Sequence, residues 1–413
     1  MAKLRAGILL AIILVVCTCI DPYTPNLKGY ASLLTVDALI TDANTSCIVK
    51  LTRTLQNQND IPPAVSDAIV YLTDDAGNTS TLINTGNGIY KTDSLEFMGI
   101  VGRTYVLHIS TNDGEYESDP CLMYPVPEIE NVYFEKDHQL TNNGTQSLDG
   151  ISIYLDSKDA DNNQYFRWSY EETWKYKIPY PKKFNYVKGA DPDFPHIVPV
   201  NDVKEFCWNN RRSGEILIRS ISNGQAEKIR KQPIFFIATE KSSRLLYQYT
   251  VLVKQYSISK KEYDFWDNLK QVNETGNDIF ARQPYSVLSN LHNTTNPKER
   301  VLGFFQVSAV SMRRKNIVYD EVGYIGLPFY SNKCSAMSMD PSFWNTRCMC
   351  PPPTWDDVYR NMSTSAYNLF TEAITDNTGR VLLKMIFTRP ECADCEVSGS
   401  INEPFFWKDI KWQ

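Results

Sequence analysis

The sequence predicts a mainly β chain. An N-terminal immunoglobulin-like or pre-albumin-like β-sandwich leads into a larger β-rich domain with one amphipathic helix and a disulfide-stapled C-terminal region. Three observations carry this. Short runs rich in Val, Ile, Tyr and Thr alternate in polarity along most of the chain, with Gly, Asn and Asp turns between them. One stretch, from Ser259, repeats its apolar residues at helical spacing behind a capping serine. The 10 Cys leave an even set once two in the leader are set aside, as in the disulfide frameworks of exported chains.

Bulk composition narrows the function classes. The 413 residues allow two or three domains at about 150 residues each. An apolar content of 42% and an aromatic content of 12% suffice for packed cores. A net charge of -6, with Lys and Arg scattered, excludes a nucleic-acid partner, which needs a basic stripe to neutralise phosphates.

Residues 1–18 read as a lipoprotein signal peptide. Lys3 and Arg5 give a positive start, and Gly7 to Val16 is an apolar run shorter than the ~20 residues of a membrane helix. It ends in Val16-Cys17-Thr18-Cys19 rather than in an A-x-A site. Cys19 follows a small residue and precedes a polar start at Asp21 and Pro22, so it is the expected lipidation site. Its acyl chains would seat the protein in a lipid leaflet. An ordinary secretory peptide and an uncleaved anchor are the alternatives.

Residues 19–30 form a polar tether with two prolines. Residues 31–125 form the first sandwich, with hairpin turns at Asp74–Asn78 and Gly86-Asn87-Gly88. Three prolines in Pro120 to Pro127 stop the strands there. Residues 128–413 form the larger domain, divisible into a second sandwich (128–256), a helix (259–275) and a C-terminal region (300–413). Ser259 is the expected N-cap, with Glu262 completing a capping box. VLGFFQVSAVS reads as one buried strand, and the final FFW should pack down rather than stay exposed.

The candidate sites follow. Cys47, Cys121, Cys207, Cys334, Cys348, Cys350, Cys392 and Cys395 are disulfide candidates. Cross-links between Cys348-Met349-Cys350 and Cys392-Ala393-Asp394-Cys395 would tie the proline-rich loop to the last strand. Zinc held by the same thiolates, with Cys334 in reserve, and redox-active thiols are the alternatives. Cys47 could pair with Cys121, and Cys207 either joins a C-terminal cysteine or stays a buried thiol. Trp174, Tyr176, Tyr180, Tyr186 and Trp208 lie in or beside the aromatic segment Ile178 to Asn201. They could form a ligand platform, because flat rings bury area at little rotamer cost. Aromatic residues are also the commonest fillers of sandwich cores, and packing there, with Trp168, is the favoured reading. The carboxylates between Asp156 and Asn163 lack the glycine and the closing glutamate of a calcium loop, so they read as a solvated turn. No G-x-S-x-G, H-E-x-x-H or phosphate-binding loop occurs, and none of the 4 His has a spaced partner. No catalytic residue, metal or cofactor is assigned, and an enzyme, specifically an unrecognised hydrolase, is the least favoured class.

CIDPY after the leader, SxKEYDFW opening the helix, NPKERVLGFFQVSAVS, and RPECADC…GSINEPFFW near the end occur together. In these the chain resembles a family of Bacteroidota outer-membrane lipoproteins, domain of unknown function 4249 (DUF4249). The resemblance spans essentially the whole mature chain. It implies a lipid-anchored outer-membrane location, lipidation at Cys19 and structural roles for Cys392, Cys395 and Trp407. By analogy with lipoproteins that cap nutrient importers, it implies a non-catalytic docking accessory of a TonB-dependent transporter. A cell-surface adhesin or structural envelope protein is the alternative.

Overall fold

A computed structural model describes residues 32–55, 60–93, 97–141, 144, 146–158, 164–187, 196–221, 228–275, 287–323, 334–335, 337–339, 369–375 and 381–412. The leader, Cys19, the tether, Cys348, Cys350 and most of the turn after Asp156 lie outside the described residues.

The first sandwich is built from β1 (Leu34–Ile40), β2 (Ile48–Arg53), β3 (Ile69–Asp74), β4 (Thr79–Thr81), β5 (Ile83–Asn84), β6 (Ile89–Lys91), β7 (Thr104–Thr111), β8 (Gly114–Ser118) and β9 (Cys121–Leu122). Alternation decides which face is buried. Leu34, Val36, Ala38 and Ile40 of β1 meet Val70 and Leu72 of β3 and Leu107 and Ile109 of β7 in one core. The Asp74 turn forms as the sequence requires. The Asp74 carboxylate accepts the Ala76 and Asn78 N–H groups and the Arg103 guanidinium at 2.6–3.0 Å, which holds it below its usual value despite the opposing effect of burial.

The second sandwich begins with β10 (Ile129–Leu140), β11 (Ser147–Ser157) and β12 (Tyr165–Lys177). Then come the β13 (Phe184–Val187) and β14 (His196–Pro199) hairpin, β15 (Phe206–Arg212), β16 (Leu217–Ser220), β17 (Gln232–Ala238) and β18 (Gln248–Ser257). Sheet β10-β11-β17 faces a sheet in which β12 lies between β15 and β18. Ile151, Ile153, Trp168, Val251 and Val253 fill the space between.

Helix α1 (Lys260–Thr275) follows. Ser259 Oγ accepts the Glu262 N–H at 3.1 Å, so the cap forms. The reciprocal half of the capping box does not form. The Glu262 side chain turns inward and accepts from Trp266 Nε1 at 3.3 Å.

The remaining strands change the expected domain boundaries. β19 (Leu291–Asn293) pairs with β8, and β20 (Leu302–Val307) pairs in parallel with β1 from Thr35–Leu302 to Ile40–Val307. Residues 31–125 therefore do not close their own sandwich. VLGFFQVSAVS is not one strand either. It breaks at Ser308-Ala309, and β21 (Val310–Val318) joins the second sandwich beside β18. One continuous segment thus lends an edge strand to each sandwich. Non-local parallel pairing leaves no turn or spacing in the sequence, which is why alternation alone missed it.

A short α2 (Tyr319–Val322) ends β21, and β22 (Met337–Met339), β23 (Leu369–Thr375) and β24 (Val381–Thr388) make the last sheet, with β13 pairing to β23. The aromatic segment 178–201 thus contains a hairpin of this sheet. The chain ends in α3 (Pro390–Ala393), α4 (Cys395–Ser398) and a 3-10 turn, Phe405–Asp409. Trp407 packs down, with Nε1 on Gln248 Oε1 at 3.4 Å and its ring 4.7 Å from that of Trp412. Phe406 lies under Arg314, but Phe405 is 87% exposed, against the expectation for FFW as a unit. Among the described residues no helix is long and apolar enough to cross a membrane.

Candidate functional site

β12 sorts the aromatic residues by parity. Its even-numbered side chains from Phe166 to Glu172 turn into the second core. Trp168 is buried there and donates to Gln255 Oε1 at 2.9 Å. Trp174, one register later, packs on the edge of that core. Tyr176 packs against the disulfide between Cys207 and Cys395, beside Ile178. Tyr180 is fixed through its backbone, its N–H donating to Cys392 O at 3.1 Å. Tyr186 sits on β13 opposite Ile197. Trp208 stands on β15 opposite Lys175, and its backbone bridges to Ser400. Trp174, Tyr176 and Trp208 thus do not form one platform. Trp174 and Tyr176 serve packing, and Trp208 belongs to the outer face of the sheet.

That outer face carries the groove that sequence reasoning missed. The ends of β12 and β21, the starts of β15 and β18 and the C-terminal tail border a cavity of about 370 Å³ walled by Phe206, Tyr247, Tyr319 and Trp412, with Lys175 and Asp320 at its polar edge. Phe206 and Tyr247 meet edge to face at 5.3 Å. Lys175 Nζ lies 4.7 Å from the Phe206 ring and 5.7 Å from that of Trp208. Its residues come from odd positions on β12 and even positions on β15, and that parity was the one sequence signal available. The arrangement suits holding a flat, partly apolar ligand with one charged or polar group.

Beside the groove the second core contains a buried carboxylate. Glu172 is 0% exposed. Its Oε1 accepts from the Tyr249 hydroxyl at 2.7 Å and from the Arg244 guanidinium, and its Oε2 faces Arg211 Nε at 4.0 Å. Burial, reinforced by the adjacent Glu172 charge, raises the Tyr249 hydroxyl well above its usual value. Tyr170 is raised too, by burial and by its 2.8 Å bond to Glu215. These tyrosines stay protonated and donate, so the cluster fixes the sheet rather than supplying a base.

The cysteines correct the expected connectivity. Cys207 bonds to Cys395 and Cys334 to Cys392, so the two cysteines of ECADC are not joined to Cys348 and Cys350. With those three C-terminal thiols oxidised, the zinc alternative built on them falls as well. Among the described residues no three potential ligands converge on a metal site. Cys47 and Cys121 are free thiols, not a pair. Cys47 lies in the first core, whereas Cys121 Sγ donates to Asp119 O at 3.2 Å and meets Asn290 Nδ2, so each thiol has separate neighbours. Burial pushes both up to about 12, which keeps them protonated and unreactive.

Residues 20–314 match the family described as "Domain of unknown function (DUF4249)". No curated protein matches the chain. Among solved structures, "Biofilm associated protein - BSP domain" aligns at 8% identity with a TM-score of 0.10. That alignment covers 75% of this chain and 63% of that one, a likeness too slight to bear on fold or function.

Proposed function

The chain belongs to the DUF4249 family, and from that premise we propose that it is a lipid-anchored, non-catalytic binding and docking accessory of a TonB-dependent outer-membrane transporter. The groove between Phe206, Tyr247 and Trp412 carries the binding half of this reading. Its aromatic walls and its Lys175 cation are groups that hold a ligand, and the tail that closes it is pinned by Trp407 and by the Cys207–Cys395 bond. The anchoring half rests on the leader, where an apolar run ends at Thr18-Cys19 ahead of a polar tether.

Two measurements test it. Mass spectrometry of the mature N-terminus should find an acylated Cys19; a free amine on another residue removes the anchor. Purification from native membranes in mild detergent should recover a transporter in near-equal amount. Recovery without one, together with adherence of cells to surfaces that depends on this protein, replaces the proposal with an adhesin.

A further inference from the structure

A second cavity, of about 290 Å³, lies at the seam where α1 meets the first sandwich. Residues from β9, the start of α1, the turn before β19 and β20 line it. Its walls include Leu122, Tyr124, Phe304 and Phe305, and Glu262 is among the lining residues. Glu262 is 2% exposed. Its Oε1 takes the Trp266 N–H, while among the described residues its Oε2 accepts no hydrogen bond.

The neighbouring cations leave the Glu262 carboxylate without a hydrogen-bonded charge partner, and Arg167, whose buried Nε has no hydrogen-bond partner among the described residues, forms only a long ion pair with it. Arg167 Nε stands 3.9 Å from Glu262 Oε1, too far for a hydrogen bond. Its guanidinium stacks over Tyr256 and Trp266 and donates to Gln306 Oε1 at 2.9 Å. Lys260 is paired with Asp264 and Lys261 with Asp119. Asn290 spends its amide on the Phe305 backbone, donating to its carbonyl and accepting its N–H, both at 2.9 Å. Glu262 thus lines this largely apolar space with a carboxylate whose Oε2 takes no hydrogen bond from the protein among the described residues, which leaves it available to a ligand's donor.

We propose that this seam cavity binds a small amphipathic primary amine, its ammonium group donating to Glu262 and its apolar body lying against Leu122, Tyr124 and Phe304. The volume is about twice the ~150 Å³ that takes up a benzene ring in a dry protein cavity, so one ring with a short substituent fits. Burial has pushed the Glu262 carboxyl up to about 7, and a positive donor returns it to the ionised form. The charged groups facing it are Arg167 from β12 and, around the cavity, Asp119, Lys261 and the Asp264-paired Lys260, with the Cys121 thiol on β9. This site is separate from the groove and does not depend on the membrane reading.

Calorimetric titration of the full-length protein in non-ionic detergent with benzylamine, and with benzyl alcohol as its neutral counterpart, tests it. Benzylamine should bind saturably, one per chain, and about tenfold or more tighter than the alcohol, as a charge-assisted bond requires. Glu262→Gln should weaken the amine about tenfold or more while changing the alcohol little. Equal affinities for the two probes on the unaltered protein overturn the proposal without reliance on any variant. So does the absence of saturable binding up to about 10 mM, given the affinity that eight heavy atoms can supply. Unchanged amine affinity in a folded Glu262→Gln protein overturns it too.

Discussion

Glu262 makes stability depend on pH in the direction opposite to most carboxylates. Burial raises its folded value from 4.5 to about 7. Between those two values the folded chain holds a proton that the unfolded chain has lost, so stability falls as pH rises. The loss begins above the unfolded value and is complete once pH has passed the folded one. Roughly 2.5 units at about 1.4 kcal/mol each give about 3 kcal/mol between pH 4.5 and pH 8. The Arg167 guanidinium, the Asp119–Lys261 pair at the mouth and the Cys121 thiol are common to both proteins in the comparison. Glu262→Gln keeps the shape and removes the titration. Urea denaturation of both proteins at pH 5, 6, 7 and 8, followed by tryptophan fluorescence, measures the difference. The variant should gain on the parent by about 2–3 kcal/mol from pH 5 to pH 8. Midpoint curves that run parallel across that range would refute the reasoning.

The remaining predictions concern the frame. Gly303 has φ +90° on β20, and a Cβ there would lie 1.8 Å from Val36 O of β1. Gly303→Ala should therefore lower stability by about 2 kcal/mol or more in thermal melts, and a loss below about 0.5 kcal/mol contradicts the parallel pairing. A non-reducing peptide map should show Cys207 linked to Cys395 and Cys334 to Cys392, with Cys47 and Cys121 alkylated only after denaturation. A Cys47–Cys121 peptide would overturn that assignment. Replacing Cys207 and Cys395 by Ser should cost about 2–5 kcal/mol in urea unfolding. Arg244→Met leaves the Glu172 carboxylate buried without its main cation, and should cost about 3–5 kcal/mol in the same assay.

The legible part of this fold is the part in which each residue's environment is set by its neighbours in sequence. Leu34 to Ile40 alternate, so β1 and its buried face can be read directly. Asp74 to Asn78 carry their own turn chemistry, and Ser259 its own cap. The illegible part begins where distant segments meet. Leu302 to Val307 read as a strand, but nothing in them names β1 as the partner or places the break at Ser308-Ala309. Eight cysteines allow many pairings, and spacing favoured joining the two short C-terminal pairs. The observed bonds instead join Cys395 to a strand 188 residues away and Cys392 to Cys334, 58 residues away. Phe405 and Trp407 differ by two positions and by nearly the whole range of exposure, because the 3-10 turn points one outward and the other onto Gln248.

Glu262 shows why sites of this kind escape motif reading. In the sequence it completes Ser-x-x-Glu, and a capping-box glutamate ordinarily reaches back to the helix start in solvent. What draws it inward is Trp266 one turn later, Arg167 on a strand ninety-five residues earlier, and the walls supplied by β9 and β20. Of those three only Trp266 has a fixed offset from Ser259. The groove shares the property, since Phe206, Tyr247, Tyr319 and Trp412 belong to four separate stretches and converge through the register of β12, β15, β18 and β21. Residue spacing finds sites that one segment carries. A site assembled at a seam is found by asking which buried residue borders a cavity with a polar atom that no protein group satisfies, and at Glu262 that atom is Oε2.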